Sequence, residues 1–72
     1  MIDEVLMLLA NLGALKAEKA IPIRQLKEMP SLKGRRVEEE VFRLKSMGYV
    51  MLVDDSVYLT PSGILRAFSY FS

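Results

Sequence analysis

The chain has 72 residues, neither cysteine nor histidine, and ten Lys/Arg against nine Asp/Glu. That length supports one domain with a thin core. The missing residue types exclude a disulfide staple, a thiol nucleophile, and the commonest general base and metal ligand, so we expect no enzyme, no metal and no cofactor. The apolar fraction, 51%, is high for so small a domain standing alone. It predicts that another subunit covers part of the apolar surface.

Residues 2 to about 15 read as the first helix, with Asp3 as its N-cap. Val5, Leu8, Leu9, Leu12 and Leu15 form one apolar stripe, yet Leu6, Met7, Ala10, Gly13 and Ala14 make the opposite side apolar too. One reading is that Ala and Gly are tolerated anywhere and Met7 is a stray exposed side chain. The reading we favour is a subunit interface of Leu6, Met7, Ala10 and Ala14. Residues 5–10 are continuously apolar, but Asp3 and Glu4 precede them where a signal peptide has basic residues. The run is too short to span a bilayer, so we expect a cytoplasmic protein with no membrane partner.

Lys16 to Ala20 is a polar connection, and Ala20-Ile21-Pro22 reads as a short edge strand or the start of a helix. Ile23 to Met29 reads as a short second helix with Ile23 and Leu26 inward, ended by Pro30. Leu32 follows as an inward plug in the turn. Lys33 to Tyr49 reads as a third, amphipathic helix with Val37, Val41, Leu44 and Met47 on one face. Lys33, Arg35, Arg36, Glu39, Glu40 and Arg43 fall on the others, and Gly48 stops it. Tyr49–Val53 and Val57–Thr60 read as a hairpin around Asp54-Asp55-Ser56, with Val50, Leu52 and Leu59 on one face and the register open. Thr60 is the N-cap and Pro61 the first residue of a last helix running to Phe71. Ile64, Leu65, Phe68 and Phe71 share its apolar face, with Phe68 expected in the core and Tyr70 partly exposed.

The reading is thus α+β, mainly α with a small hairpin, in the order α-β-α-α-β-β-α over a single domain, 1–72. Charge is uneven along it. From Lys16 to Ser46 there are nine Lys/Arg against five Glu, while the rest of the chain carries Arg66 against Asp3, Glu4, Asp54 and Asp55. The positive segment is the one suited to a polyanion.

Two stretches carry a family resemblance. VEEEVFRLKSMGYV resembles the end of a recognition helix, and VYLTPSG resembles the entry to the helix after a wing. In this order they resemble winged helix-turn-helix proteins, among them the MarR and PadR groups of transcriptional regulators and small archaeal and viral regulators. The resemblance implies a transcriptional regulator that binds duplex DNA as a homodimer, with the helix at about 33–47 in the major groove. It would place DNA contacts on Lys33, Arg35, Arg36, Glu39, Glu40 and Arg43, and phosphate contacts on Arg24, Lys27, Lys16 and Lys19. The dimer would form through the first helix, the last, or both, with Met7, Phe68, Tyr70 and Phe71 as anchors.

Two features depart from the pattern. Glu38-Glu39-Glu40 would repel phosphate unless they pair along the helix, as Arg35–Glu39, Arg36–Glu40 and Glu39–Arg43 do at i, i+4 spacing. The hairpin tip is Asp54-Asp55, where a DNA-gripping wing carries Arg or Lys, so the wing is expected to stay out of the minor groove. The alternative function is a winged helix used as a protein-interaction module that binds no DNA. Charge geometry discriminates: a continuous positive surface favours DNA, and one interrupted by the glutamates favours the adaptor. So small a core argues for no small-molecule ligand.

Overall fold

The computed structural model describes residues 3–69. Asp3 opens α1 (Glu4–Asn11) by accepting hydrogen bonds from the backbone N–H of Val5 at 3.1 Å and Leu6 at 3.2 Å. A 3-10 turn at Ala17–Lys19 leads to β1 (Ile21–Pro22) and directly into α2 (Ile23–Lys27). A second 3-10 turn, Pro30–Leu32, precedes α3 (Val37–Ser46). The hairpin of β2 (Val50–Val53) and β3 (Ser56–Leu59) follows, and α4 (Pro61–Phe68) closes the described chain. These are four α-helices and an antiparallel sheet ordered β1-β3-β2.

The hairpin register pairs Val50 with Leu59, Met51 with Tyr58, Leu52 with Val57 and Val53 with Ser56. Val50, Val57 and Leu59 are therefore buried on the inner face, and Asp54-Asp55 is left as a two-residue tip. Asp54 adopts φ +53, a left-handed conformation that Asp tolerates better than branched residues do. The tip is not free to reach outward. The carbonyl of Asp55 accepts the N–H of Ile23 at 2.9 Å and so ties the hairpin to the start of α2.

Leu26, Leu32, Val37, Val41 and Leu44 join Val5, Leu6 and Leu9 against that inner face. Leu32, in the 3-10 turn that joins α2 to α3, is fully buried as expected. Thr60 caps α4 by accepting from the N–H of Gly63 at 3.0 Å, with Pro61 behind it where a missing N–H is harmless.

Three expectations need correction. First, α1 is rotated. Its inward residues are Val5, Leu6 and Leu9, and it ends at Asn11, before a turn at Gly13 (φ +77). Leu12 and Leu15 are thereby exposed, while Leu6 and Ala14 are buried in the chain's own core. Ala14 is fixed there because its carbonyl accepts from Leu59 N–H at 2.8 Å. Leu6 and Ala14 are thus not available as a subunit interface, and Met7 and Ala10 are half-buried.

Second, α3 begins at Val37 rather than Lys33. Gly34 (φ +84) breaks the chain there, so Lys33, Arg35 and Arg36 occupy the connection into the helix. Its inward stripe ends with Leu44, and Met47, at the C-cap, is exposed.

Third, α4 turns its small residues inward. Gly63 and Ala67 are buried, and Leu65 and Phe68 are exposed. The reason is the close approach of α4 to the backbone of Tyr49, which only a residue without a side chain allows at Gly63. Phe68 is therefore not core. Tyr70 and Phe71 lie outside the described residues.

Candidate nucleic-acid interface

α2 and the connection into α3 both carry cations near the start of α3, where Lys27 shares one groove with Arg24 and another with Arg35 and Arg36. α2 supplies Arg24 and Lys27, and the connection into α3 supplies Lys33, Arg35 and Arg36, all exposed. α3 has no side-chain cap at its start, so its first N–H groups face this cluster without a local partner side chain. A groove of about 300 Å³ there is lined by Lys27, Arg35, Arg36, Val37, Glu38 and Glu39. A second groove, about 410 Å³, runs from Arg24 and Lys27 to the hairpin tip at Asp54-Asp55. Lys27 and Glu38 line both grooves and are joined at 3.0 Å.

Carboxylates punctuate the cluster. Arg35 makes a two-pronged contact with Glu40, at 3.1 and 2.7 Å, and reaches Glu4 on α1 at 3.2 Å. Hydrogen bonding and the charge of Glu40 raise the Arg35 pKa above its ordinary value. A raised pKa in a cation means the contribution is complete below the ordinary value and lost only in strong alkali, so Arg35 adds no pH dependence near neutrality. Arg36 pairs loosely with Glu39 at 3.6 Å, and Arg43 reaches back to Asp3 at 3.3 Å. Arg24 and Lys33 have no ion pair among the described residues.

None of the three i, i+4 pairs expected along the third helix forms as such. Arg35 and Arg36 precede the helix, so helical spacing does not govern them, and Arg43 turns toward α1. Lys27–Glu38, Arg35–Glu4 and Arg36–Glu39 are exposed on both sides, and water screens such pairs so that they are readily exchanged for another anion, whereas Glu40 and Asp3 are largely covered where Arg35 and Arg43 meet them.

One site residue was missed in the sequence. Phe42, the sixth residue of α3, is 64% exposed, with the Lys45 amine 5.9 Å from its ring centre. The signal was present: Phe42 sits beside Val41 but off the Val37, Val41, Leu44 period, so it had to face away from the core.

No helix among the described residues is long and apolar enough to cross a membrane. Compared with protein-family models, curated proteins and solved structures, the chain matches none.

Proposed function

We propose that this chain is a winged helix-turn-helix domain that binds duplex DNA as a homodimer and regulates transcription. The order helix, strand, helix, turn, helix, hairpin, helix fits that fold. The observation that carries the DNA reading is that Lys27 shares one groove with Arg24 and another with Arg35 and Arg36 at the uncapped start of α3, with Lys33 exposed in the connection before it. In this arrangement Lys33, Arg24 and Lys27 meet phosphates, and Arg35 and Arg36 turn from their carboxylate partners to DNA as α3 enters the major groove. An α-helix with its side chains is about 10–12 Å across, which suits a major groove about 12 Å wide.

The wing plays a structural part in this reading, since its tip is acidic and anchored to α2. The interruption of the positive surface by Glu38, Glu39 and Glu40 supports the second reading, a protein-interaction module with Phe42 at its centre. Binding of random duplex DNA over a salt series separates the two, because only phosphate contacts release counterions as they form.

The dimer is part of this proposal, since two copies are needed to place two α3 helices in successive major grooves. The longest extent of the molecule is 28 Å, less than the roughly 34 Å between successive major grooves, so one copy offers one α3 to one groove. α1 packs on α4, and together they leave Leu12 and Leu65 on the surface, Leu65 at 75% exposure. With Leu6 and Ala14 buried, the interface we propose is this surface of Leu12 and Leu65. Leu65→Glu is expected to convert a dimer to a folded monomer in sedimentation equilibrium, with circular dichroism unchanged. A variant that stays dimeric places the contact elsewhere.

A further inference from the structure

We infer that Phe42 is a base-reading residue, with its ring against the C5-methyl group of a thymine in the major groove. The inference rests on the DNA reading above and adds what kind of sequence is read. An aromatic ring left in water forgoes the stabilisation of burial, and Phe42 is the large apolar side chain most exposed on α3.

Its neighbours decide what it meets. The entry cations hold phosphates at the front of α3, so the middle of the helix faces base edges rather than backbone. Among groups on major-groove edges, the thymine methyl is the apolar one; the others are hydrogen-bond donors and acceptors. Lys45, over the Phe42 ring, keeps a cation at the flank of that contact.

Glu39 lies one turn before Phe42 on the exposed side of α3. A carboxylate is repelled by the N7, O6 and O4 acceptors of guanine, adenine and thymine, and accepts from N4 of cytosine. Three residues of helix rise about 4.5 Å, close to one base step of about 3.4 Å. The exposed face of α3 thus suits a cytosine next to a thymine on one strand, and has no Asn or Gln to read adenine. The glutamate run that weakens general phosphate binding becomes part of the discrimination.

The test uses the whole chain. Duplexes are enriched from a random pool by repeated binding, and each thymine of the best duplex is then replaced by deoxyuridine, which removes only the methyl. One replacement is expected to lower wild-type affinity about fourfold, the effect of losing one buried methyl. Phe42→Ala is expected to bind the thymine and deoxyuridine duplexes alike while remaining folded by circular dichroism, and Phe42→Leu to keep part of the preference. A wild type indifferent to every replacement overturns the inference, as does a Phe42→Ala variant that still discriminates. Absence of any duplex binding, even at low salt, overturns the DNA reading itself and this inference with it. Duplex binding without methyl sensitivity leaves the DNA reading standing and removes only the role of Phe42.

Discussion

Replacing Arg35 and Arg36 together by alanine is expected to lower duplex DNA affinity by about a hundredfold, roughly tenfold for each arginine. Both stand in the connection that leads into α3, where a helix entering the major groove brings them nearest to phosphates and guanine edges. The salt dependence of binding should become shallower by about one unit for each phosphate no longer neutralised. The two positions are not equivalent structurally. The Arg36 side chain is 83% exposed and, among the described residues, forms an ion pair with Glu39 alone, at 3.6 Å, so Arg36→Ala alone should leave the thermal midpoint unchanged. Arg35 links α1 to α3 through Glu4 and Glu40, so the double variant is expected to melt slightly earlier. Anisotropy on labelled duplex, with melting followed by circular dichroism, separates weaker binding from a damaged fold. Unchanged affinity in a folded double variant would remove the α3 entry from the DNA interface.

Gly63→Ala is expected to be the most damaging single methyl that can be added to this chain. A Cβ at position 63 would overlap the carbonyl oxygen of Tyr49 and lie 2.8 Å from its carbonyl carbon. Neither atom can retreat easily. The same carbonyl accepts the N–H of Thr60 at 3.0 Å, and Thr60 in turn caps α4. The methyl must therefore push α4 away from the strand-bearing segment, opening the packing around Ala67 and Leu59. Overpacking of this kind costs about 1–3 kcal/mol. A domain of this size has a total stability of order 5 kcal/mol, so a large share of it is at stake. Urea denaturation should show a lower midpoint with an unchanged slope. Ser62→Ala, exposed and next in sequence, is the matched control expected to change nothing. An unaltered midpoint for Gly63→Ala would contradict the packing described for α4.

The sequence disclosed best what local chemistry decides. Asp3 and Thr60 cap helices wherever their neighbours lie, because a side-chain oxygen and an N–H two or three residues on are all that a cap requires. Pro30, Gly48 and the Asp54-Asp55 tip marked their turns for the same reason.

What the sequence concealed was set at a distance. An eight-residue helix such as α1 is apolar on nearly every side, so its rotation is chosen by what it packs against, and Leu6 went inward while Leu12 stayed out. The start of α3 was misplaced because the burial of Leu32 and the turn at Gly34 use up residues that are good helix formers by propensity. In α4, size rather than hydrophobicity fixed the inward face: Gly63 sits against the Tyr49 backbone, Ala67 is buried on the same side, and Leu65 and Phe68 are left exposed.

The candidate site shows the same division. Its residue types were legible, and Arg24, Lys27, Arg35 and Arg36 line two grooves that share Lys27 and Glu38. Their ion-pair partners were not legible, because Arg43 and Asp3 are 40 residues apart in sequence and Arg35 spans two helices.

The first measurement to make is the affinity of the purified chain for random duplex DNA between about 50 and 200 mM salt, by fluorescence anisotropy. Four or five phosphate contacts per copy, drawn from Arg24, Lys27, Lys33, Arg35 and Arg36, predict that log K falls with log salt at a slope of about −4 per copy. That slope would mean that Lys and Arg side chains neutralise phosphates and release the counterions condensed on them. Absence of binding at the lowest salt, or affinity indifferent to salt, would contradict the DNA reading and leave the face around Phe42, Glu38 and Glu39 as a surface for a protein partner.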